Sequence, residues 1–153
     1  CWVCHSTALG GVFGMAAVIL LARFLWCAGI RRQYAFGGGG MMERTHLVIL
    51  SHLDFDGQGQ LLEVGCGSGP LSIRAALTWP SAQVVGIDYW GVDFGYNQTM
   101  CEKNAASEGV AARCRFQHGD ANQLDCPDES FDAGVRNYVY HHIMGSDNRT
   151  PML

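Results

Sequence analysis

A glycine-rich stretch near the middle of the chain has the residue types best suited to bind a ligand. Residues 61–64 form a short apolar segment that is typical of a buried strand, and glycines follow at positions 65, 67 and 69 before Pro70 opens a helical segment. Glycine allows a sharp backbone turn and lets peptide N–H groups approach a ligand closely. A helix N-terminus behind such a turn adds unsatisfied donors and partial positive charge. This arrangement predicts a slot for part of a nucleotide-like molecule.

The spacing of the glycines limits which class of ligand the loop can be expected to bind. The dinucleotide fingerprint Gly-x-Gly-x-x-Gly uses its third glycine for close packing of the helix on the strand. Here the third glycine falls one position early, at Gly69, and Pro70 stands where that fingerprint has glycine. An acid, Glu63, precedes the glycines and is expected to point toward the loop.

A second acid follows the next predicted strand. Residues 83–88 are rich in β-branched residues and end at Asp88, which lies 19 residues beyond Gly69. An acid at the end of the second strand of a nucleotide-binding unit accepts hydrogen bonds from ribose hydroxyls. Tyr89 comes next, and its ring is a candidate to pack against adenine, with core packing as the equal alternative.

The remaining elements predict the fold class. Helices are expected at residues 42–53, 70–78 and 95–108, and further strands at 113–117 and 131–136. Strands that alternate with helical crossovers imply a doubly wound parallel α/β sheet. His46 and His52 lie on the first of these helices and are expected to be ordinary surface histidines.

These segments together resemble a known family. The acid and glycines of residues 63–69, the acidic strand at 84–88, the Gly-Asp-Ala sequence at 119–121 and residues 131–137 resemble, in order and spacing, the motifs of class I S-adenosylmethionine-dependent methyltransferases. The likeness is greatest to microbial members that carry N-terminal membrane segments. It implies a Rossmann-like fold with S-adenosylmethionine as cofactor. That fold has seven strands, and this chain holds sequence for about four, so a truncated domain is expected.

The resemblance implies cofactor-binding roles at these positions: Glu63, Gly65, Gly67, Gly69, Asp88, Tyr89, Asp120, Ala121 and Asn137. In the family's pattern Glu63 faces the amino end of the donor, and Asp88 holds the ribose hydroxyls. Asp120 and Ala121 contact the adenine, and Asn137 borders the methionine part. Arg136 stands where a small residue is expected in the family.

Catalytic residues are less well marked than cofactor-binding ones. A general base is needed only if the acceptor loses a proton as it attacks the methyl group. His141 and His142, just after the fourth predicted strand, are the candidates, and a structural or solvent-facing pair is the alternative.

Charge and cysteine content exclude other classes of function. Residues 45–153 carry six basic and thirteen acidic groups, which disfavours a nucleic-acid partner because phosphate binding requires clustered lysine and arginine. The seven cysteines are irregularly spaced and do not form a disulfide framework, which favours a reducing compartment. Cys1, Cys4 and His5 resemble half of a zinc site with no second half, so no metal is predicted.

The N-terminal segment is predicted to be a separate domain. Residues 7–30 are almost free of charge and about as long as the ~20 residues that span a bilayer. Arg31 and Arg32 follow, which would place the globular part in the cytoplasm. A signal-like or re-entrant segment and a buried helix are the alternatives. The predicted division is an apolar anchor helix at 1–36, a glycine-rich linker at 37–41 and the N-terminal part of a methyltransferase domain at 42–153.

The predicted function is methyl transfer from S-adenosylmethionine to a small-molecule or lipid-like acceptor by a membrane-associated enzyme. Two alternatives stay open. One is a truncated cofactor-binding fragment without activity, and the other is a nicotinamide-dependent oxidoreductase, against which Pro70 argues.

Overall fold

The computed structural model describes residues 2–91 and 95–137. Contacts between Cα atoms divide the chain into two units, Cys1–Thr45 and His46–Leu153. The predicted domain limits at residues 37–41 lie a few positions before this division. That division falls inside the second helix, α2 (Met41–Ser51).

The first unit consists mainly of one long helix, α1 (Trp2–Tyr34). Within its stretch Gly11–Tyr34 a window of 18 residues has a mean hydropathy of 2.0, so this stretch is long and apolar enough to cross a membrane, by length and composition only. A core helix or a signal sequence can meet the same criterion. From Gly11 to Tyr34 the apolar side chains are exposed on all sides of the helix, as Val18 (67%) and Phe24 (68%) illustrate. A helix that is apolar on every side lacks the polar face of a surface helix.

The second unit is built on a sheet of four parallel strands, which confirms the predicted α/β fold. The strands are β1 (Gln60–Val64), β2 (Gln83–Asp88), β3 (Cys114–His118) and β4 (Ala133–Arg136). Their order across the sheet is β3-β2-β1-β4. The direction of winding reverses between β1 and β4, and ligands of open α/β sheets bind outside the carboxyl ends of the strands at such a switch point.

Two helices make the crossovers between the first three strands. Helix α3 (Pro70–Thr78) joins β1 to β2, and α4 (Gln98–Ser107) joins β2 to β3. Pro70 occupies the first turn of α3, where its missing N–H leaves no helical hydrogen bond unmade. The buried face of α3 packs on the sheet through residues such as Leu71 and Ile73.

The boundaries of two elements differ from the sequence prediction because of specific hydrogen bonds. Helix α4 starts at Gln98 because the Asn97 side chain accepts a hydrogen bond from the Met100 N–H at 2.8 Å, which caps the helix there. Strand β4 starts at Ala133, since Asp132 already bonds to Gln60 through both its side chain and its backbone N–H, at 2.7 and 2.8 Å.

One histidine of α2 lies elsewhere than the sequence predicts. The expectation that His46 is a surface residue is wrong, because its side chain is 2% exposed. His52, at the end of the same helix, is exposed as expected.

Candidate functional site

The glycine loop leaves β1 at the switch point and is held there by β2. The N–H groups of Gly65 and Cys66 both donate to the Ile87 carbonyl, at 2.7 and 3.0 Å. All three glycines of the loop have positive φ, with Gly67 at 57° and Gly69 at 84°. Side chains other than glycine rarely adopt this conformation. The alternation of glycines therefore follows from the backbone path of the loop.

Asp88 ties the glycine loop to the end of β2. Its Oδ2 accepts a hydrogen bond from the Gly67 N–H at 2.7 Å, and its Oδ1 accepts one from the Trp90 N–H at 2.7 Å. Each carboxylate oxygen can accept two hydrogen bonds. The half-buried carboxylate thus orients the loop and keeps capacity for two further donors, such as a pair of sugar hydroxyls.

Glu63 lies beneath the loop, in the interior. Its side chain is 2% exposed, and its Oε2 accepts hydrogen bonds from the Ser72 N–H (2.7 Å) and the Ser72 hydroxyl (2.5 Å). Burial raises the pKa of Glu63 to about 7, the two bonds from Ser72 lower it in part, and the charge of Asp88 raises it again. Glu63 therefore joins the end of β1 to the first turn of α3.

Asp120 and Ala121 lie at the same edge of the sheet as Asp88. The last residue of β3, His118, pairs with Asp88, and the Gly119 N–H donates to the Asp88 carbonyl at 3.0 Å. The Asp120 carboxylate bonds locally, accepting from the N–H and the side-chain amide of Asn122 at 2.8 and 3.0 Å. Its two described partners are thus on one neighbouring residue of the same loop.

Tyr89 presents an open aromatic face beside Asp88. Its side chain is 65% exposed, and its ring lies 5.1 Å from that of His118, tilted by 52°. Tyr89 is therefore not a core residue in this structure. Of the two alternatives that the sequence left open, the exposed ring argues against core packing, and contact with a ligand stays a prediction.

Asn137 directly follows β4 at the switch point. Arg136 pairs with Val64, the last residue of β1, so the half-buried Asn137 stands at the edge where the glycine loop begins. His141 and His142 lie outside the described residues.

Three further side chains hold the glycine loop, and sequence reasoning did not single them out for this role. The Trp90 indole N–H and the Cys101 thiol both donate to the Gly67 carbonyl, at 2.8 and 3.2 Å. The Asn104 side-chain amide donates to the Ser68 carbonyl at 2.9 Å. Cys101 and Asn104 are three residues apart and so share one face of α4. This spacing was the sequence signal that could have paired the two residues. It points to the glycine loop only when α4 is known to pack beside that loop.

The ring of Tyr96 lies on the side of the loop toward which a Gly67 side chain would project. Among the described residues, a Cβ atom at Gly67 would contact only the Tyr96 ring, at 3.7 Å and beyond. The slot thus combines a backbone free of side chains, an acidic group with spare acceptors and an exposed aromatic ring. These features fit a cationic nucleoside such as S-adenosylmethionine, whose sugar is a donor and whose sulfonium and ammonium groups are positive.

Comparison with known proteins identifies the family. A methyltransferase domain family matches residues 61–153. An uncharacterized methyltransferase of Mycobacterium tuberculosis (strain H37Rv) is 33% identical over 92 residues, which are 60% of this chain and 41% of that protein. The chain belongs to this methyltransferase domain family, and it spans about two fifths of the length of the curated relatives it matches.

Solved structures show the same fold. The YcgJ protein of Bacillus subtilis has a TM-score of 0.54 at 25% identity, over 67% of this chain and 41% of its own. Geranyl diphosphate C-methyltransferase of Streptomyces coelicolor A3(2), solved with Mg²⁺, geranyl diphosphate and S-adenosyl-L-homocysteine, has a TM-score of 0.53 at 14% identity, over 62% and 35%. The expected class, the Rossmann-like class I S-adenosylmethionine-dependent methyltransferases, is confirmed, and S-adenosylmethionine is the cofactor of that class.

Proposed function

We propose that the slot formed by the glycine loop, Asp88 and the ends of β3 and β4 binds S-adenosylmethionine. The observation that carries this proposal is the hydrogen bond from the Gly67 N–H to Asp88. It brings the loop and the acidic strand end, which are 21 residues apart in the sequence, to one point. Asp120 lies at the same edge, in the turn just after the neighbouring strand β3.

The predicted residues are proposed to contact different parts of the donor. Gly65, Gly67 and Gly69 let the backbone approach the methionine part, and Asp88 accepts from the ribose hydroxyls. Asp120 and Ala121 contact the adenine, with Tyr89 packing on its face, and Asn137 borders the methionine part. Glu63 acts on the ammonium group directly or through water, because its carboxylate lies just beneath the loop.

The whole protein is proposed to transfer a methyl group to a small-molecule or lipid-like acceptor. When bound, S-adenosylmethionine supplies an electrophilic methyl group. The residues of the chain align donor and acceptor and exclude water, which is the main requirement for such a transfer. Where the acceptor must lose a proton, His141 or His142 is the proposed base.

Calorimetric titration of the full chain with S-adenosylhomocysteine tests the binding step. We expect saturable binding, and about 2.7 kcal/mol of stabilisation at a ligand concentration 100 times the dissociation constant. NADH serves as the control ligand and should give neither heat nor a thermal shift. Binding of NADH in place of S-adenosylhomocysteine would support the oxidoreductase alternative. No shift with millimolar S-adenosylhomocysteine would refute the binding proposal.

Residues 7–30 are proposed to anchor the protein in a membrane, with the globular part on the cytoplasmic side. The support is the exposed apolar surface of α1 and the two arginines, Arg31 and Arg32, in its last turn. An acceptor that is itself a lipid, or dissolved in one, would follow from this location.

Flotation with phospholipid vesicles tests the anchor. Lysine at both Leu20 and Leu21 should release the chain from the vesicles, because each charge at the centre of a spanning helix costs about 2.5–3.5 kcal/mol. Leu47→Lys is the matched control, since Leu47 is an exposed residue of α2 (47%) outside that segment. Equal flotation of the double variant and the control would contradict the anchor.

A further inference from the structure

Trp90 has an unusual backbone conformation just after the end of β2. Its φ is 44°, in the left-handed region that large side chains rarely adopt. In the described part of the chain, Glu129 is the one other non-glycine residue with a positive φ. Such a conformation persists only where the surrounding contacts enforce it, and it is common at functional sites. The contacts of Trp90 therefore indicate what this conformation achieves.

Trp90 binds two of the groups that form the proposed donor slot. Its backbone N–H donates to Asp88 Oδ1 at 2.7 Å, and its indole N–H donates to the Gly67 carbonyl at 2.8 Å. Asp88 and Gly67 are also bonded to each other, because Asp88 Oδ2 accepts from the Gly67 N–H at 2.7 Å. The three residues thus close a ring of three hydrogen bonds beside the end of β2.

This ring fixes the orientation of two groups that the donor would contact. Gly67 is held at both its N–H and its carbonyl, so the peptide groups on either side of it cannot rotate without breaking a bond. Asp88 is held through both carboxylate oxygens, so its remaining lone pairs keep a defined direction. A site whose groups are already oriented loses less conformational entropy when it binds its ligand, and it binds the ligand more tightly.

We propose that Trp90 is a positioning residue for the donor, whose left-handed backbone and indole N–H hold Gly67 and the Asp88 carboxylate in the orientation that binds S-adenosylmethionine. The inference rests on the proposed binding of S-adenosylmethionine in that slot. Trp90 acts through these two residues, and its own ring need not contact the donor. Its two hydrogen bonds offset the strain of the left-handed backbone, so loss of the indole bond should loosen the loop.

Two substitutions at Trp90 test this role. Trp90→Phe removes the indole N–H and keeps an aromatic ring. Of its two described donors, the Gly67 carbonyl then keeps the weaker one, the Cys101 thiol. We expect the affinity for S-adenosylhomocysteine to fall about fivefold, which is the typical worth of one hydrogen bond. Trp90→Gly is the second variant, because glycine adopts a φ of 44° without strain, and it should fold and lose at least as much affinity.

Trp79→Phe is the matched control. Trp79 is half-buried like Trp90, and it directly follows α3, the helix that leads away from the glycine loop. Its ring packs edge-on against Phe55, with the ring centroids 5.1 Å apart. The same substitution at this position should therefore leave the affinity for S-adenosylhomocysteine unchanged.

Hydrogen exchange at the Gly67 amide, measured by NMR on the labelled full chain, shows whether Trp90 holds the loop. Without ligand, the exchange should be about fivefold faster in Trp90→Phe than in the unsubstituted chain, and unchanged in Trp79→Phe. In the unsubstituted chain S-adenosylhomocysteine should slow it, because the coupling between the loop and the ligand is reciprocal. A residue with only a general structural role would instead change the exchange throughout the sheet.

A double-mutant cycle tests whether Trp90 acts through Asp88. Asp88→Ala removes the acceptor of two of the three bonds in the ring. Adding Trp90→Phe to it should therefore lower the affinity by less than about twofold, against about fivefold in the unsubstituted chain. Effects on affinity that simply multiply would show that the two residues act independently and would overturn the inference.

The outcomes distinguish this inference from the proposed function. If the unsubstituted chain binds S-adenosylhomocysteine and Trp90→Phe binds it as tightly as Trp79→Phe does, the positioning role is overturned and the proposed function stands. An unsubstituted chain that binds no S-adenosylhomocysteine would refute the proposed function, and the positioning of the donor with it. The exchange of the Gly67 amide would still decide whether Trp90 holds the loop.

Discussion

The carboxyl edge of the sheet has an inner half, at the ends of β1 and β2, and an outer half, at the end of β3. The acids of these two halves have different hydrogen-bond partners. At the ends of β1 and β2, Glu63 and Asp88 bind main-chain N–H groups of the loop and helix that follow β1. At the end of β3, Asp120 bonds to its neighbour Asn122 in an exposed turn. The acids of the inner half therefore hold the fold together while they shape the slot. The acid of the outer half is free of that structural task, and its loss should affect ligand binding more than folding.

The largest effect is expected at the centre of the inner half. Gly67→Val should abolish binding of S-adenosylhomocysteine, because a β-branched residue is strained at a φ of 57° and its side chain would project into the proposed donor slot. Calorimetric titration measures the loss.

Gly134→Val is the matched control for this substitution. Gly134 lies in β4, a Cβ atom added there would have no described atom within 4 Å, and valine favours strands. Affinity in Gly67→Val equal to that of the control would show that the slot lies elsewhere.

The second-largest effect is the pH dependence of stability that Glu63, in the inner half, should produce. Its pKa is about 7 in the folded chain against 4.5 in the unfolded one. The folded chain therefore binds the extra proton, and the contribution of Glu63 to stability is full below pH 4.5 and is lost as the pH rises through 7. Between pH 4.5 and a pH above 7, the free energy of unfolding should fall by at most about 3 kcal/mol because of Glu63.

Glu63→Gln should remove this part of the pH dependence, because glutamine does not titrate. Denaturant unfolding of both proteins between about pH 4.5 and 8 measures the difference. Parallel stability curves for the two proteins would contradict the raised pKa of Glu63.

Asp88→Ala tests whether an acid of the inner half contributes both to stability and to ligand binding. The substitution leaves the N–H groups of Gly67 and Trp90 without their acceptor, which should cost about 1–3 kcal/mol of stability. Binding of S-adenosylhomocysteine should weaken by about the same free energy. Denaturant unfolding and titration calorimetry measure the two effects separately. A loss of affinity without any loss of stability would show that Asp88 does not stabilise the fold.

Asp120→Ala should have the smallest effect on folding. It removes the local bonds to Asn122, which are exposed, so the loss of stability should stay below about 1 kcal/mol. Affinity for S-adenosylhomocysteine should still fall if Asp120 contacts the adenine. Unchanged affinity would remove Asp120 from the site, and a loss of stability equal to that of Asp88→Ala would remove the distinction between the two halves.

The order of strands and helices was predictable because each segment carries its own pattern. Residues 83–88 show the β-branched run of a buried strand, and Gly69 and Pro70 mark the start of α3. The limits of α4 and β4 were less predictable, since they depend on the Asn97 cap and on the contact of Asp132 with Gln60. The second of these contacts joins residues that are 72 positions apart.

The sequence by itself determined that acids lie at or just beyond the carboxyl ends of the strands and that glycines follow β1, because these preferences come from local backbone conformation and from residue type. Only the tertiary structure decided what each acid does. Glu63 became a buried partner of Ser72, Asp88 a bridge to Gly67, and Asp120 a local turn residue. Such pairings depend on the distances between elements in space, which the pattern of any one segment does not contain.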